Sequence, residues 1–263
     1  MKLRGLESPY IGEIMHIVTK GIVLRETNYK EADKILTVLT EEGGKRTVKS
    51  RGCRRKGSAL AAPSQLLAWS DMTLFEYKDY YTLSEGSTVA LFRHVREDLV
   101  KLSLGSYFAE VTEAVAEENQ PEPELLSLLL NSLYALDALD KPLPLVKAAF
   151  ELRLLTVAGY APLADGCGVC GTETPEHAQF NLSEGVVHCA ACRGEVGDGI
   201  SMPLSAGALS ALRYIVYGDP KRLFSFRLDE ESLRLLSNAA EAFLLTQLER
   251  GFRTLDFYKQ LQV

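Results

Sequence analysis

Ile17-Val18-Thr19-Lys20-Gly21-Ile22-Val23-Leu24 is the stretch on which the fold turns. Most of it is β-branched, and side chains stiff at χ1 sit well on a pleated surface. Working outward, residues 35–40 give a second run of the same kind. Gly43-Gly44 supplies a turn, and residues 45–51 can return as a third strand. Residues 66–78 carry Trp69, Leu74, Phe75 and Tyr77, all good strand formers, and residues 80–89 can add a fifth strand. Five short strands joined by glycine-bearing turns predict a small closed or nearly closed barrel, for which the OB-fold is the natural candidate.

Beyond about Val95 the period changes. Leu99, Leu102, Phe108, Val111 and Val115 recur at near-helical spacing, and Pro121 and Pro123 break the run. Leu125, Leu126, Leu129, Leu133 and Leu136 form a second helical stripe. Pro142 and Pro144 punctuate again, and Val146, Phe150, Leu154 and Val157 form a third, with Gly159 where a C-cap glycine belongs. Periodicity is lost over 163–200. It returns at 204–217 and again at 230–251, where Leu233, Leu236, Ala240, Phe243, Leu244 and Leu248 share one face. The expected class is α+β. It comprises an extension (1–14), an OB-fold barrel (15–90), a helical domain begun at 91–162 and completed at 201–263, and a cysteine-rich insert between them (163–200). The carboxylates of 110–124 read as a solvated helix face.

With 263 residues and 46% hydrophobic content, the chain can bury an ordinary core. No apolar run approaches the roughly 20 residues needed to span a bilayer. Glu7, Ser8, Pro9, Gly12 and Glu13 interrupt the N-terminus where a secretory signal needs an apolar segment. A soluble, cytoplasmic protein without a membrane partner is expected. The net charge of −6 conceals an asymmetry: residues 1–80 hold 14 Lys/Arg against 10 Asp/Glu, the remainder 15 against 25. A basic N-terminal part on an acidic body points to a localised anionic partner.

Four of the five cysteines fall in two pairs, Cys167-x2-Cys170 and Cys189-x2-Cys192, separated by 18 residues. This is the spacing of a four-thiolate zinc site. Zinc takes four tetrahedral ligands, and a structural site leaves no open position. Gly166, Gly168 and Gly171 let the backbone bend around the metal, and residues 179–188 can form a hairpin that joins the two pairs. One structural Zn2+ is therefore expected. His177 and His188 lie close enough to act as substitute ligands, although four thiolates suffice. Cys53 stands apart as a bystander. Gly166-Cys-Gly168-Val-Cys-Gly171 matches a dinucleotide fingerprint by letter, yet it follows a helix and contains metal ligands.

Residues 45–56 read Lys-Arg-Thr-Val-Lys-Ser-Arg-Gly-Cys-Arg-Arg-Lys, with seven basic residues and no acidic one. As a strand, Lys45, Thr47, Lys49 and Arg51 share one face, and Arg46 and Val48 take the other. A flexible loop then carries Arg54, Arg55 and Lys56. Cations on a barrel face suit a nucleic-acid backbone. Tyr29, Trp69, Phe75, Tyr77, Tyr80 and Tyr81 are available for base stacking, although most are expected in the core. Gly52-x4-Gly57 lacks the Lys-Ser/Thr of a phosphate loop, and no hydrolase motif is present. No catalytic residues are expected.

Taken together, four segments resemble the RecO family of recombination mediators: residues 21–40, residues 44–58, Phe150-Glu-Leu-Arg-Leu-Leu with Gly159-Tyr-Ala-Pro162 and the first CxxC, and 180–192 ending in the second CxxC. Members of that family begin near a position equivalent to Met15, so residues 1–14 depart from the pattern. The resemblance implies an N-terminal OB-fold, a helical domain and a zinc ribbon. It implies binding of single- and double-stranded DNA and annealing of complementary strands. It also implies partnership with RecR and with the C-terminal tail of single-stranded-DNA-binding protein, and loading of RecA. Two rivals stay open. A zinc-ribbon scaffold that binds only proteins predicts no salt-dependent DNA affinity. A cytosolic redox enzyme predicts metal-free, reactive thiols.

Overall fold

The computed structural model describes residues 15–78 and 80–262, so the extension expected over residues 1–14 lies outside it. The described chain divides into two compact units. The first runs to Leu91 and includes Ala116–Pro121; the second comprises Phe92–Val115 and the chain from Glu122 onward.

The first unit is a five-stranded barrel of β1 (Met15–Tyr29), β2 (Asp33–Thr40), β3 (Gly44–Ser50), β4 (Trp69–Tyr77) and β5 (Tyr80–Ala90). The strands hydrogen-bond in the order β1-β2-β3-β5-β4, and β4 returns to β1. Closure between β3 and β5 is a short parallel ladder from Val48↔Tyr81 to Ser50↔Leu83. β1 is longer than its β-branched run because it serves two partners: its first half pairs with β4 and its second half with β2. A register shift between Val23 and Arg25 lies on this second ladder. Val23, Leu36, Val38, Val48, Met72, Leu74 and Leu83 fill the interior.

Two expectations change here. The fourth strand begins at Trp69, and residues 51–68 are a succession of tight turns in which Arg55, Ser58, Ala61, Gln65 and Ala68 each donate to the carbonyl three residues back. Residues 116–121 belong with the barrel although their neighbours are helical. The N-terminal half of β3 has no partner in β5, and buried backbone groups need one. Residues 117–119 supply it: Lys45 N donates to Glu117 O at 3.2 Å and Asn119 N to Lys45 O at 3.2 Å. Gly44 sits at φ +59° against this segment, and a Cβ there would lie 1.8 Å from Gln120 O.

The second unit contains α1 (Arg93–Glu97), α2 (Leu99–Val115), α3 (Pro123–Ala138), α4 (Leu143–Val157), α5 (Ala206–Tyr217), α6 (Glu230–Gln247) and α7 (Arg253–Gln260). Helix α4 is its centre and is buried nearly all round, Lys147 and Glu151 included. Phe108 of α2 stacks on Phe150 of α4 with centroids 4.0 Å apart. Gly159 ends α4 at φ +90°, with Gly159 N bonded to Thr156 O and Tyr160 N to Leu155 O, the paired closure of a Schellman cap. Between α4 and α5 lies the insert, a sheet of β6 (Gln179–Asn181), β7 (Val186–His188) and β8 (Ser201–Pro203) in the order β7-β6-β8. Neither β8 nor α7 was expected from the sequence, because three and eight residues are too short for a periodic signal.

Candidate metal centre and nucleic-acid interface

The hairpin of β6 and β7 brings the two CxxC segments together. Gly168 N donates to Val187 O, which ties the first pair to β7, and the second pair begins directly after β7. Gly171 N closes a turn on Cys167 O, and Cys192 N closes another on Cys189 O. Of the three glycines, only Gly171 uses positive φ, at +74°; Gly166 is needed for close approach, since a Cβ there would stand 3.1 Å from Thr172 O. The insert is anchored to its unit from both sides. Phe180 meets Phe243 of α6 edge-on at 4.8 Å, and Arg213 of α5 donates to Ala164 O, Asp165 O and Glu173 O.

The sulfurs of Cys167, Cys170, Cys189 and Cys192 all lie within 4.8 Å of one another. A tetrahedron with Zn–S bonds of about 2.3 Å has edges of about 3.8 Å, and Cys170 Sγ and Cys189 Sγ are 3.8 Å apart. Burial resists charge on Cys167, but the N–H groups of Cys170, Cys189 and Val169 outweigh it and bring that thiol down to about 6. Burial and the neighbouring sulfurs push Cys189 up to about 11 and Cys192 up to about 12. One thiolate forms readily and its neighbours then resist. A divalent cation at the centre removes that repulsion, so the donor set fits a metal such as zinc. His188 does not join the set. It is buried, with Nε2 on Ser201 Oγ at 3.0 Å and Nδ1 on Cys189 O at 2.9 Å, and so ties β7 to β8 beside the cysteines.

The seven basic residues of 45–56 separate into two groups. Three are engaged by the barrel. Lys45 is half-buried beside residues 117–119. Arg46 shares the inward face with Val48, its guanidinium 4.5 Å from the Tyr81 ring centroid and its Nε donating to Gly43 O. Lys49 pairs with Asp33 at 3.3 Å and lies 4.9 Å from the Tyr29 ring centroid. Arg51, Arg54, Arg55 and Lys56 are exposed.

The segment carrying these four is pinned, which corrects the expectation of a flexible loop. Gly52 N donates to Asp33 Oδ1 at 2.8 Å, Arg54 N to Ala32 O at 3.0 Å and Arg54 Nη1 to Glu31 O at 3.2 Å. Cys53 is only 3% exposed, with its Sγ 3.9 Å from Ala32 O. It is the buried foot of the turn and no bystander. The Gly52 N–H holds the Asp33 carboxyl below its ordinary value, helped by Lys49 and Lys30 against partial desolvation. Asp33 carries no local sequence signal for this role, because its partner lies 19 residues away.

A further cluster escaped the sequence. Lys147 Nζ lies 2.8 Å from Glu151 Oε1 and 2.8 Å from Glu241 Oε2, and Tyr107 Oη donates to Glu151 at 2.7 Å. Burial opposes the Lys147 charge, but the two carboxylates outweigh it and raise its pKa. The i,i+4 Lys–Glu spacing was visible, yet it ordinarily marks a solvated face. Glu110, also expected in solvent, accepts from Thr254 N at 3.1 Å at the start of α7.

Comparison with known proteins assigns both units. Residues 15–92 match the family model described as Recombination protein O N terminal, and residues 96–256 match Recombination protein O C terminal. A DNA repair protein RecO from Acetivibrio thermocellus is 36% identical over 94% of this chain and 97% of its own length. One from Symbiobacterium thermophilum is 35% identical over 92% and 96%, and one from Listeria monocytogenes 31% over 85% and 86%.

Proposed function

The chain belongs to the RecO family of DNA repair proteins, and from that premise we propose that it is a non-catalytic recombination mediator which binds single- and double-stranded DNA through its barrel. It anneals complementary strands and helps load RecA onto protein-coated single strands. The observation that carries this reading is the cluster of Arg51, Arg54, Arg55 and Lys56, exposed on a turn clamped to the β1–β2 connection of an OB-type barrel. That connection belongs to the surface such barrels use for oligonucleotides. Two DNA strands repel each other, and a rigid basic surface lowers that repulsion and concentrates both. No bond needs to be made or broken.

Cys167, Cys170, Cys189 and Cys192 would hold one structural zinc, which supplies the small insert with the stability that so short a sheet cannot. RecR and the C-terminal tail of single-stranded-DNA-binding protein are the partners this role requires. A cavity of about 230 Å3, lined in part by Pro123, Leu128, Val157 and Leu223 with Arg153 among them, offers the tail an apolar seat beside a cation. A zinc-ribbon scaffold without DNA affinity is the competing reading.

The test is fluorescence anisotropy of a labelled single strand across a salt series, comparing the parent with Arg54→Ala/Arg55→Ala/Lys56→Ala. Log affinity should fall against log salt by about 0.7 per phosphate neutralised, and the triple variant should lose about two units of slope. An unchanged slope in the variant removes the turn from the interface. A parent that does not bind at low salt leaves the scaffold reading in place.

A further inference from the structure

Among the described residues of the barrel, Tyr29, Tyr77 and Tyr80 are the large exposed aromatics, at 42%, 45% and 77%. Tyr77 ends β4 and Tyr80 begins β5. Tyr29 differs in its surroundings. It ends β1, and the turn after it, residues 30–32, is the same one that accepts the hydrogen bonds of Arg54 and the contact of Cys53. Tyr29 and the four exposed cations therefore stand on one hydrogen-bonded platform.

Two ammonium groups lie close to its ring, Lys49 at 4.9 Å and Lys30 at 5.5 Å from the centroid. Lys30 reaches it from a left-handed conformation at φ +52°, which non-glycine residues seldom adopt. Lys49 is fixed on its other side by Asp33. An exposed ring bordered by cations, next to further arginines, combines the two elements of single-strand recognition: a π-face for a base and positive charge for the adjoining phosphates.

We propose that Tyr29 is a base-stacking residue, so that the turn of Arg51, Arg54, Arg55 and Lys56 takes the phosphates while Tyr29 takes an unpaired base. The base replaces one ammonium over the ring, and Lys30, exposed at the tip of the turn, moves to the neighbouring phosphate. The consequence is discrimination. A duplex offers the same phosphates but keeps its bases stacked internally, so only a single strand uses the ring. A mediator built this way holds a single strand with its base exposed to a searching complement. This proposal rests on the DNA-binding reading above and adds to it the residue that recognises bases.

The experiment uses the full zinc-loaded chain and three probes of equal length: a single strand, the same strand with abasic sites throughout, and a duplex. Tyr29→Ala should lower affinity for the normal single strand by about five- to 150-fold, with the salt slope unchanged. Its affinities for the abasic strand and the duplex should stay within about twofold of the parent, as expected when only a base contact is lost. Tyr29→Phe keeps the ring and should bind like the parent, and it separates loss of stacking from loss of folding. Tyr134→Ala removes an exposed ring from the helical unit and should bind like the parent. The proposal is overturned if Tyr29→Ala binds the normal strand as the parent does, or if it loses affinity equally for all three probes, which would make the ring a support for Lys30 and Lys49. In both cases the basic turn remains the DNA contact. Failure of the parent to bind any probe is instead failure of the DNA-binding function itself.

Discussion

At the scale of single residues, position in the fold assigns roles that residue type leaves open. Arg46 and Arg54 are chemically alike, yet one is folded over Tyr81 on the inward side of β3 and the other is exposed. Asp33 is an acid inside a basic site, and its carboxylate serves to clamp the Gly52 N–H and Lys49. Because its pKa is lowered in the folded chain, its stabilising contribution is complete above the ordinary carboxyl range. That contribution is lost as pH falls through the lowered value, so the clamp is intact at neutral pH. Gly44 is constrained twice, by φ +59° and by the Gln120 carbonyl. Gly44→Ala should cost about 2–3 kcal/mol of stability from backbone strain and steric clash together. Urea denaturation measures it, and a loss below about 0.5 kcal/mol, the ordinary surface effect, would show that residues 116–121 yield easily.

At the scale of elements, α4 shows how a helix can be central and still carry charge. Its apolar residues pack on several neighbours at once, and Lys147 with Glu151 would be ruinous there if unpaired. Glu241 and Tyr107 complete the set from α6 and α2. Lys147→Met should destabilise the protein by about 3–5 kcal/mol, because it leaves the fully buried Glu151 carboxylate without its cation, whereas Glu241 keeps Lys259. Lys147→Met/Glu151→Gln removes the buried charge and keeps an acceptor for Tyr107, so it should recover part of that loss. If the double variant is the less stable of the two, Glu151 has a partner other than Lys147 that matters more. The β1–β2 turn and the turns after β3 form a second composite element. Each fixes the other, so the basic residues are held in a set geometry, and a ligand bound there would cost them little conformational freedom.

For the whole molecule, two units with separate tasks follow from where charge and thiols fall. The seven-cation run of residues 45–56 lies in the barrel, and the four clustered thiols sit in the insert of the helical unit. About one zinc per chain should be found by elemental analysis. Chelation, or Cys170→Ser, should lower the melting temperature of the helical unit while the salt-dependent DNA affinity proposed for the barrel persists. Full stability after complete metal removal would mean that Phe180, Phe243 and Arg213 hold the insert unaided. No described helix is long and apolar enough to cross a membrane.

What the sequence determined by itself was everything carried by local pattern. β-Branched and aromatic runs with glycine turns announced the five strands, proline and glycine the helix ends, and the CxxC spacing the clustered thiols, because each of those signals is complete within a few neighbouring residues. Tertiary structure alone decided which of the seven basic residues meet solvent. It also decided that Asp33 and Cys53 anchor the turn and that Lys147 and Glu151 are interior. The reason is physical. A charge reads the same in sequence whether it is solvated or paired, and its partner, Gly52 for Asp33 or Glu241 for Lys147, lies 19 or 94 residues away, brought close only when strands and helices pack.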